Sequence, residues 1–359
     1  MRYLSVCSGI EAATVAWHNL GWTPVGFSEI EPFPSAVLAH HYPNVPNFGD
    51  MTQHEHWPLQ PGSIDLLVGG TPCQSFSVAG LRAGLSDPRG GLMLTYLEIA
   101  RRLRPRWVVW ENVPGVLSSN RGRDFGSFLG AMGLLGYGVA YRVLDAQWCR
   151  THGHPRAVPQ RRRRVFVVGC LGDATAAATV LLKQQSVLGN SAPRRTTGKV
   201  FAADAQGSIG AGRWWDGTDC AGTLTKQNAG GGQRMPDKDN LGAVLQPVGY
   251  RWQNDRDGLV QDGIAPACRA STGSSGFHEM NHPVVINTAM TVRRLTPSEC
   301  ERLQGFPDDY TLIPWRKKAA TDCPDGPRYK ALGNSMAVNC MAWIGERIAA
   351  VDAEMGTKE

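Results

Sequence analysis

The tightest constraint on this chain is a series of short, largely apolar runs in its first half, at residues 3–6, 25–27, 64–68, 107–110, 141–144 and 165–168. None alternates cleanly between apolar and polar, as a strand wetted on one face would. Helical patterns separate them. Ala13, Ala16, Trp17 and Leu20 are spaced i, i+3, i+4, i+7 and stop at Gly21, and further helices are predicted over 92–103 and 125–135. Strands buried on both faces and joined by helical crossovers predict a doubly wound, mostly parallel α/β sheet of the Rossmann-like type. The 42 Gly and 23 Pro rule out an all-helical or coiled-coil chain.

The pattern changes near residue 172. Residues 186–290 hold 16 Gly, with turn clusters at 228–232 and 271–276, and helical periodicity fades. Trp214, Trp215, Tyr250 and Trp252 argue against a disordered linker and for a small irregular β-rich domain. From about 292 the helical pattern returns. Thr296-Pro297-Ser298-Glu299 reads as a capping box, and Met336, Cys340, Trp343 and Ile348 suggest one last amphipathic helix. The expected division is 1–171, 172–290 and 291–359, the last segment returning to the first.

Several classes are excluded. No stretch approaches the roughly 18 apolar residues of a membrane span. The opening residues lack the basic, apolar and small-residue regions of a secretion signal, so a cytoplasmic protein is expected. Nine scattered cysteines without a CxxC pair fit a reducing compartment. The net charge of +6 is uneven: residues 76–170 carry 15 basic against 5 acidic side chains, and 29 of the 37 basic residues are Arg. Arginine forks suit phosphates and base edges. Charge alone leaves nucleic acid and a solvated Arg-rich surface equally open.

Open α/β sheets bind ligands at the carboxyl ends of their strands. That rule collects the turn Ser8-Gly9, then Glu29 about 20 residues later in ribose-binding position, Asp50 after a possible strand at 48, Cys73, and Glu111. The absence of GxGxxG weighs against a dinucleotide enzyme. Cys73 follows a strand end and Pro72 and enters a loop containing Gly80, Gly84, Gly90 and Gly91; such a loop can close over a substrate, although a small buried thiol would read the same way.

Taken together, Pro72-Cys73-Gln74, Glu111-Asn112-Val113, Gln160-Arg161-Arg162-Arg163-Arg164, Arg294-Leu295-Thr296-Pro297 and Gly333-Asn334-Ser335 occur in the order and approximate spacing of the DNA cytosine-5 methyltransferase family. The chain resembles its phage or prophage-like bacterial branch over 1–170 and 292–350. The resemblance implies methyl transfer from S-adenosylmethionine to C5 of a cytosine flipped out of duplex DNA. Cys73 would add to C6, Glu111 would hold N3 and the amine, Arg164 would steady O2, and Arg162 would support the pocket. Cofactor contacts would come from Cys7, Ser8, Gly9, Ile10, Glu29, Ile30, Asp50, Met51, Thr71, Pro72, Asn334 and Ser335. Gln74, Ser77 and Arg89 would lie near DNA, while Arg213, Lys226, Gln227, Asn228, Arg251, Gln253 and Arg269 of the middle segment have side chains able to read base edges.

The sequence departs from the family in having Cys7 where Phe is usual and Glu11-Ala12 where a glycine pair is common. The stretch before Gln160, with Cys149, His152 and His154, reads as an inserted loop rather than a zinc site; no metal is expected. A monomer acting on double-stranded DNA, with a possible cognate restriction endonuclease, is the implied setting. The rival readings are a tRNA cytosine-5 methyltransferase and a catalytically silent DNA-binding regulator, with a nicotinamide dehydrogenase a distant third.

Overall fold

A computed structural model describes residues 1–71, 91–153, 155, 157–182, 243–248, 250–252, 259–261 and 289–356, with the strands between 243 and 294 given by their backbone alone. Six strands build the main sheet: β1 (Arg2–Val6), β2 (Thr23–Ser28), β3 (Leu66–Gly69), β4 (Trp107–Asn112), β5 (Tyr137–Asp145) and β6 (Arg163–Leu171), in the order β2-β1-β3-β4-β6-β5. β1 pairs in parallel with β2 and β3, and β3 in parallel with β4. Trp107 and Val109 face one hydrophobic layer while Val108 and Trp110 face the other. Burial on both sides explains why these strands read as unbroken apolar runs.

The first layer contains α1 (Ala12–Trp17) and α2 (Pro32–His41); the second contains α3 (Gly91–Leu103) and α4 (Arg123–Leu134). Gly21 ends the first helical stretch in the left-handed region, as expected of a C-terminal stop.

Two differences from the sequence reading concern direction and extent. β6 runs antiparallel to both β4 and β5, so the sheet is parallel on one side and reversed on the other. A parallel return would need a crossover element, and the described residues of 146–162 contain no helix. The strand read near residue 48 is only a single parallel bridge between Phe27 and Asn47. Beyond β6 the α/β architecture continues into α5 (Ala174–Leu182), bound to the sheet by Arg142, whose guanidinium donates to the Leu181 carbonyl at 2.9 Å.

In the middle segment, β7 (Ala243–Val248) pairs antiparallel with β10 (Ala289–Arg294), and β8 (Tyr250–Trp252) with β9 (Leu259–Gln261). The predicted capping box opens α6 (Pro297–Gln304): Thr296 and Glu299 exchange both of its hydrogen bonds. α7 (Asp325–Asn334) and α8 (Val338–Gly356) follow. A buried ion pair, Arg328 to Glu301, ties α7 to α6. α8 lies against α1 so closely that a Cβ on Gly345 would stand 2.3 Å from Trp17 Nε1; that indole donates to the Met341 carbonyl at 2.8 Å. The last helix therefore rests on the element that follows the first strand. Among the described residues no helix is long and apolar enough to cross a membrane.

Candidate active site

Glu111 lies within β4, one residue before its end, opposite Phe166 of β6. In an antiparallel pair the residue two places from a cross-strand partner shares its face, which puts Arg164 diagonally beside Glu111. The Arg164 Nε is 3.0 Å from Glu111 Oε1, both side chains being 13% exposed. Burial pushes the Glu111 carboxyl above the ordinary carboxylate range, and Arg164 and then Arg162 pull it back. Arg162 is 2% exposed and its guanidinium donates to the carbonyls of Gly333 and Ser335. Burial and neighbouring Arg164 bring it down to about 9, against the favourable pull of Glu111, so it remains a cation at neutral pH.

Three further contacts close this end of the sheet. Thr71 accepts from Trp110 Nε1 at 2.9 Å through its hydroxyl and from Asn112 Nδ2 at 3.0 Å through its carbonyl. A Cβ on Gly70 would stand 3.0 Å from both Glu111 Oε2 and Met336 Cε, so any larger residue here would push on the carboxyl and on the C-terminal segment. Asn112, Gly70 and Met336 were not singled out from sequence as site residues. Asn112 lies within the quoted Glu111-Asn112-Val113 motif and Met336 directly follows Gly333-Asn334-Ser335, which was the available signal. Cys73, Pro72, Gln74, Ser77, Arg89, Arg213, Lys226, Gln227, Asn228, Gln253 and Arg269 lie outside the described residues, and Arg251 is placed only as a backbone position on β8.

The second grouping sits at the ends of β1 and β2. Gly9 donates its N–H to Glu29 Oε2 at 2.7 Å, and the other Glu29 oxygen accepts from the Glu31 N–H at 2.8 Å. The Ser8 hydroxyl donates to the Ser5 carbonyl at 2.8 Å and accepts from the Ser28 N–H at 3.2 Å, locking the turn to both strands. The carbonyl of buried Ile10 accepts from the Tyr310 hydroxyl at 2.9 Å. Asp50 caps the 3-10 turn Met51–His56 through the Thr52 N–H. Met51 is buried, 3.4 Å by sulfur from the half-buried Cys7. Burial, then Glu29 and Asp50, push the Cys7 thiol up to about 12, so it stays a thiol. Ile30 is 68% exposed, an apolar side chain held in solvent beside the Glu29 carboxylate. Ser335 is buried beside Arg162, and Asn334 is exposed at the end of α7.

The sequence pattern of C-5 cytosine-specific DNA methylases matches residues 1–350. The chain belongs to that family. The DNA N-6-adenine-methyltransferase of Escherichia phage P1 is 36% identical over 96% of this chain, which spans only 61% of that protein's length. The type II methyltransferase M.HpaII of Haemophilus parainfluenzae is 29% identical, covering 96% of this chain and 88% of the relative. Among solved structures, EhMeth of Entamoeba histolytica superposes with a TM-score of 0.57 at 14% identity, covering 97% of both chains. DNMT2 of Spodoptera frugiperda gives 0.56, also at 14%, covering 97% of this chain and 99% of that one. These two share the fold.

S-adenosylmethionine is the cofactor of this family. The residues around the Ser8-Gly9 turn fit it. Glu11, Glu29 and Asp50 gather there, and none of the three is in an ion pair among the described residues. One oxygen of buried Glu11 has no hydrogen-bond partner at all. Such a surround attracts a sulfonium and an ammonium and repels the pyrophosphate of a dinucleotide.

Proposed function

We propose that this chain methylates C5 of a cytosine flipped out of duplex DNA, through a covalent bond between Cys73 and C6. The observation that carries the reading is the largely shielded Glu111–Arg164 pair, each side chain 13% exposed, at the carboxyl end of β4, next to the Thr71 strand end that leads in sequence to Cys73. A protonated Glu111 can donate to N3 of the pyrimidine, and burial favours that proton. The Arg164 guanidinium supplies donors for the O2 edge, and Arg162 anchors the wall behind it to the Gly333 and Ser335 carbonyls.

Addition of the Cys73 thiolate to C6 forms a C–S bond, moves the ring electrons toward C5 and sets the Glu111 proton on N3. Bound cofactor supplies the electrophilic methyl group. Loss of the C5 proton to a base, for which water suffices, then expels the thiolate, returns the N3 proton to Glu111 and restores the aromatic ring. Cys7, Ser8, Gly9 and Ile10 would surround the methionine end, Glu29 would bind the ribose, Ile30 would pack on the adenine with Asp50 and Met51 reaching its amine, Thr71 and Pro72 would border the sulfonium, and Asn334 and Ser335 would close the site. The segment between α5 and residue 290 would read the DNA sequence, with 291–359 completing the catalytic part. The setting is the cytoplasm of a bacterium or phage-infected host, with the chain acting as a monomer.

Incubation with labelled cofactor and duplex DNA, followed by nucleoside analysis, should yield 5-methylcytosine. N4-methylcytosine would overturn the reading, as would N6-methyladenine, the product named for the phage P1 relative. DNA containing 5-fluorocytosine should trap a covalent adduct that Cys73→Ser abolishes. Methylation of tRNA in preference to duplex DNA would favour the RNA-directed rival.

A further inference from the structure

One buried carboxyl has no part in the chemistry above. Glu11 is 1% exposed and holds a left-handed backbone, φ 65°, that is costly for any side chain. Its N–H donates to the Ser8 carbonyl at 3.0 Å, closing the turn over which the methionine end is placed. Oε1 accepts from the Thr14 N–H and hydroxyl, both at 3.1 Å, while Oε2 is buried with no partner. An ionised oxygen buried without a donor is unfavourable unless a cation compensates it.

Among the described residues, the groups facing it supply none. Tyr3 and Ser5 come from β1, Glu29 from beyond β2, Tyr42 from the end of α2, and Tyr310 from the segment after α6. All are neutral or acidic. Burial pushes the Glu11 carboxyl up to about 7; the nearby Ser5 hydroxyl and the Thr14 donors oppose that rise and Glu29 adds to it. The site therefore holds an acid close to its titration point, and no positive charge faces it among the described residues.

We propose that Glu11 is the fixed counter-charge beneath the cationic methionine end of the cofactor, and that filling the Ser8–Ile10 turn is coupled to loss of the Glu11 proton. Its burial makes it a positioning residue that acts through the turn without touching the cofactor. The inference rests on the proposed placement of the cofactor at this turn, and on no part of the cytosine chemistry.

Calorimetric titration of the intact protein with S-adenosylmethionine, in buffers of different ionisation enthalpy, counts the protons released. If occupancy lowers the carboxyl by about one pH unit, roughly 0.4 of a proton leaves at pH 7 and affinity rises about fivefold from pH 6 to pH 8. Glu11→Gln keeps the acceptor for Thr14 and should abolish both effects. S-adenosylhomocysteine, which keeps the ammonium but lacks the sulfonium, assigns the partner: equal release points to the ammonium, and lost release to the sulfonium. Binding with no proton release and a flat pH profile would overturn the inference alone, even if Glu11→Gln failed to fold. A slope that survives in a folded Glu11→Gln protein would also overturn it. Failure to bind cofactor at any pH would overturn the placement as well.

Discussion

Glu11, fully buried, and Glu111, partly buried, are carboxyls at the same end of the same sheet, and the fold treats them in opposite ways. Glu111 meets Arg164 at 3.0 Å with Arg162 behind, so the acid is matched by cations of the chain. Glu11 shares its surroundings with Glu29, Asp50 adds its charge to that of Glu29 at Cys7, and among the described residues no cation pairs with any of the three. The contrast matches the proposed guests. A cytosine is neutral, so its pocket should be balanced before it arrives. A sulfonium cofactor brings positive charge, so its cradle should be left acidic.

The sharpest way to break this comparison is Glu111→Gln. The variant should lose methyl transfer by about 10²–10⁴-fold with cofactor affinity unchanged, measured by product formation beside calorimetry. Loss of cofactor binding in that variant would merge the two regions into one. Next comes Glu29→Ala, which removes the acceptor of the Gly9 and Glu31 N–H groups. Hydrogen bonds to a charged group are worth about 1.5–3 kcal/mol, so cofactor affinity should fall roughly ten- to hundredfold. Retained cofactor affinity would remove Glu29 from the cradle.

Stability sharpens the contrast further. The folded chain holds the Glu11 proton more tightly than an unfolded chain, whose carboxyl has its ordinary value of 4.5. That contribution is complete below about pH 4.5 and is lost as pH rises through about 7. Glu11→Gln should therefore stabilise the cofactor-free protein by about 1–3 kcal/mol at pH 8 and by little at pH 5, read from denaturant midpoints. An equal effect at both pH values would mean the carboxyl titrates normally. The smallest effect belongs to Tyr310→Phe, which removes the hydroxyl that donates to the Ile10 carbonyl. At about 0.5–1.5 kcal/mol for one neutral hydrogen bond, cofactor affinity should drop only a few-fold.

How much of this was legible in the sequence depends on whether a feature is local. The strands around Leu4, Leu67 and Val108 were readable because burial on both faces writes itself into consecutive residues. The Thr296 capping box was readable because its partners are three residues apart. The direction of β6 was not, since a buried strand carries the same apolar run whichever way it points. The helix Ala174–Leu182 was also missed. Its Ala-rich run has hardly any polar face, because it is packed both against the β5–β6 side and beneath α8, where Arg347 donates to the Thr179 carbonyl at 2.8 Å. Glu111 and Arg164 were found through motifs; their pairing is a product of cross-strand register. Glu11 stood out only as a departure from a glycine pair, because its isolation depends on Tyr3, Tyr42 and Tyr310 arriving from three distant segments.

The reversal of β6 affects how the molecule tolerates change. An arginine near the start of one strand meets an acid near the end of another, and the connection feeding that arginine leaves the sheet at the same rim. Residues added or removed at the exposed positions His152 and Gly153 can bulge outward while the ladder from Val165 to Cys170 keeps its partners from Asn112 to Trp107. Variation in that connection can reshape the mouth of the pocket without moving its floor.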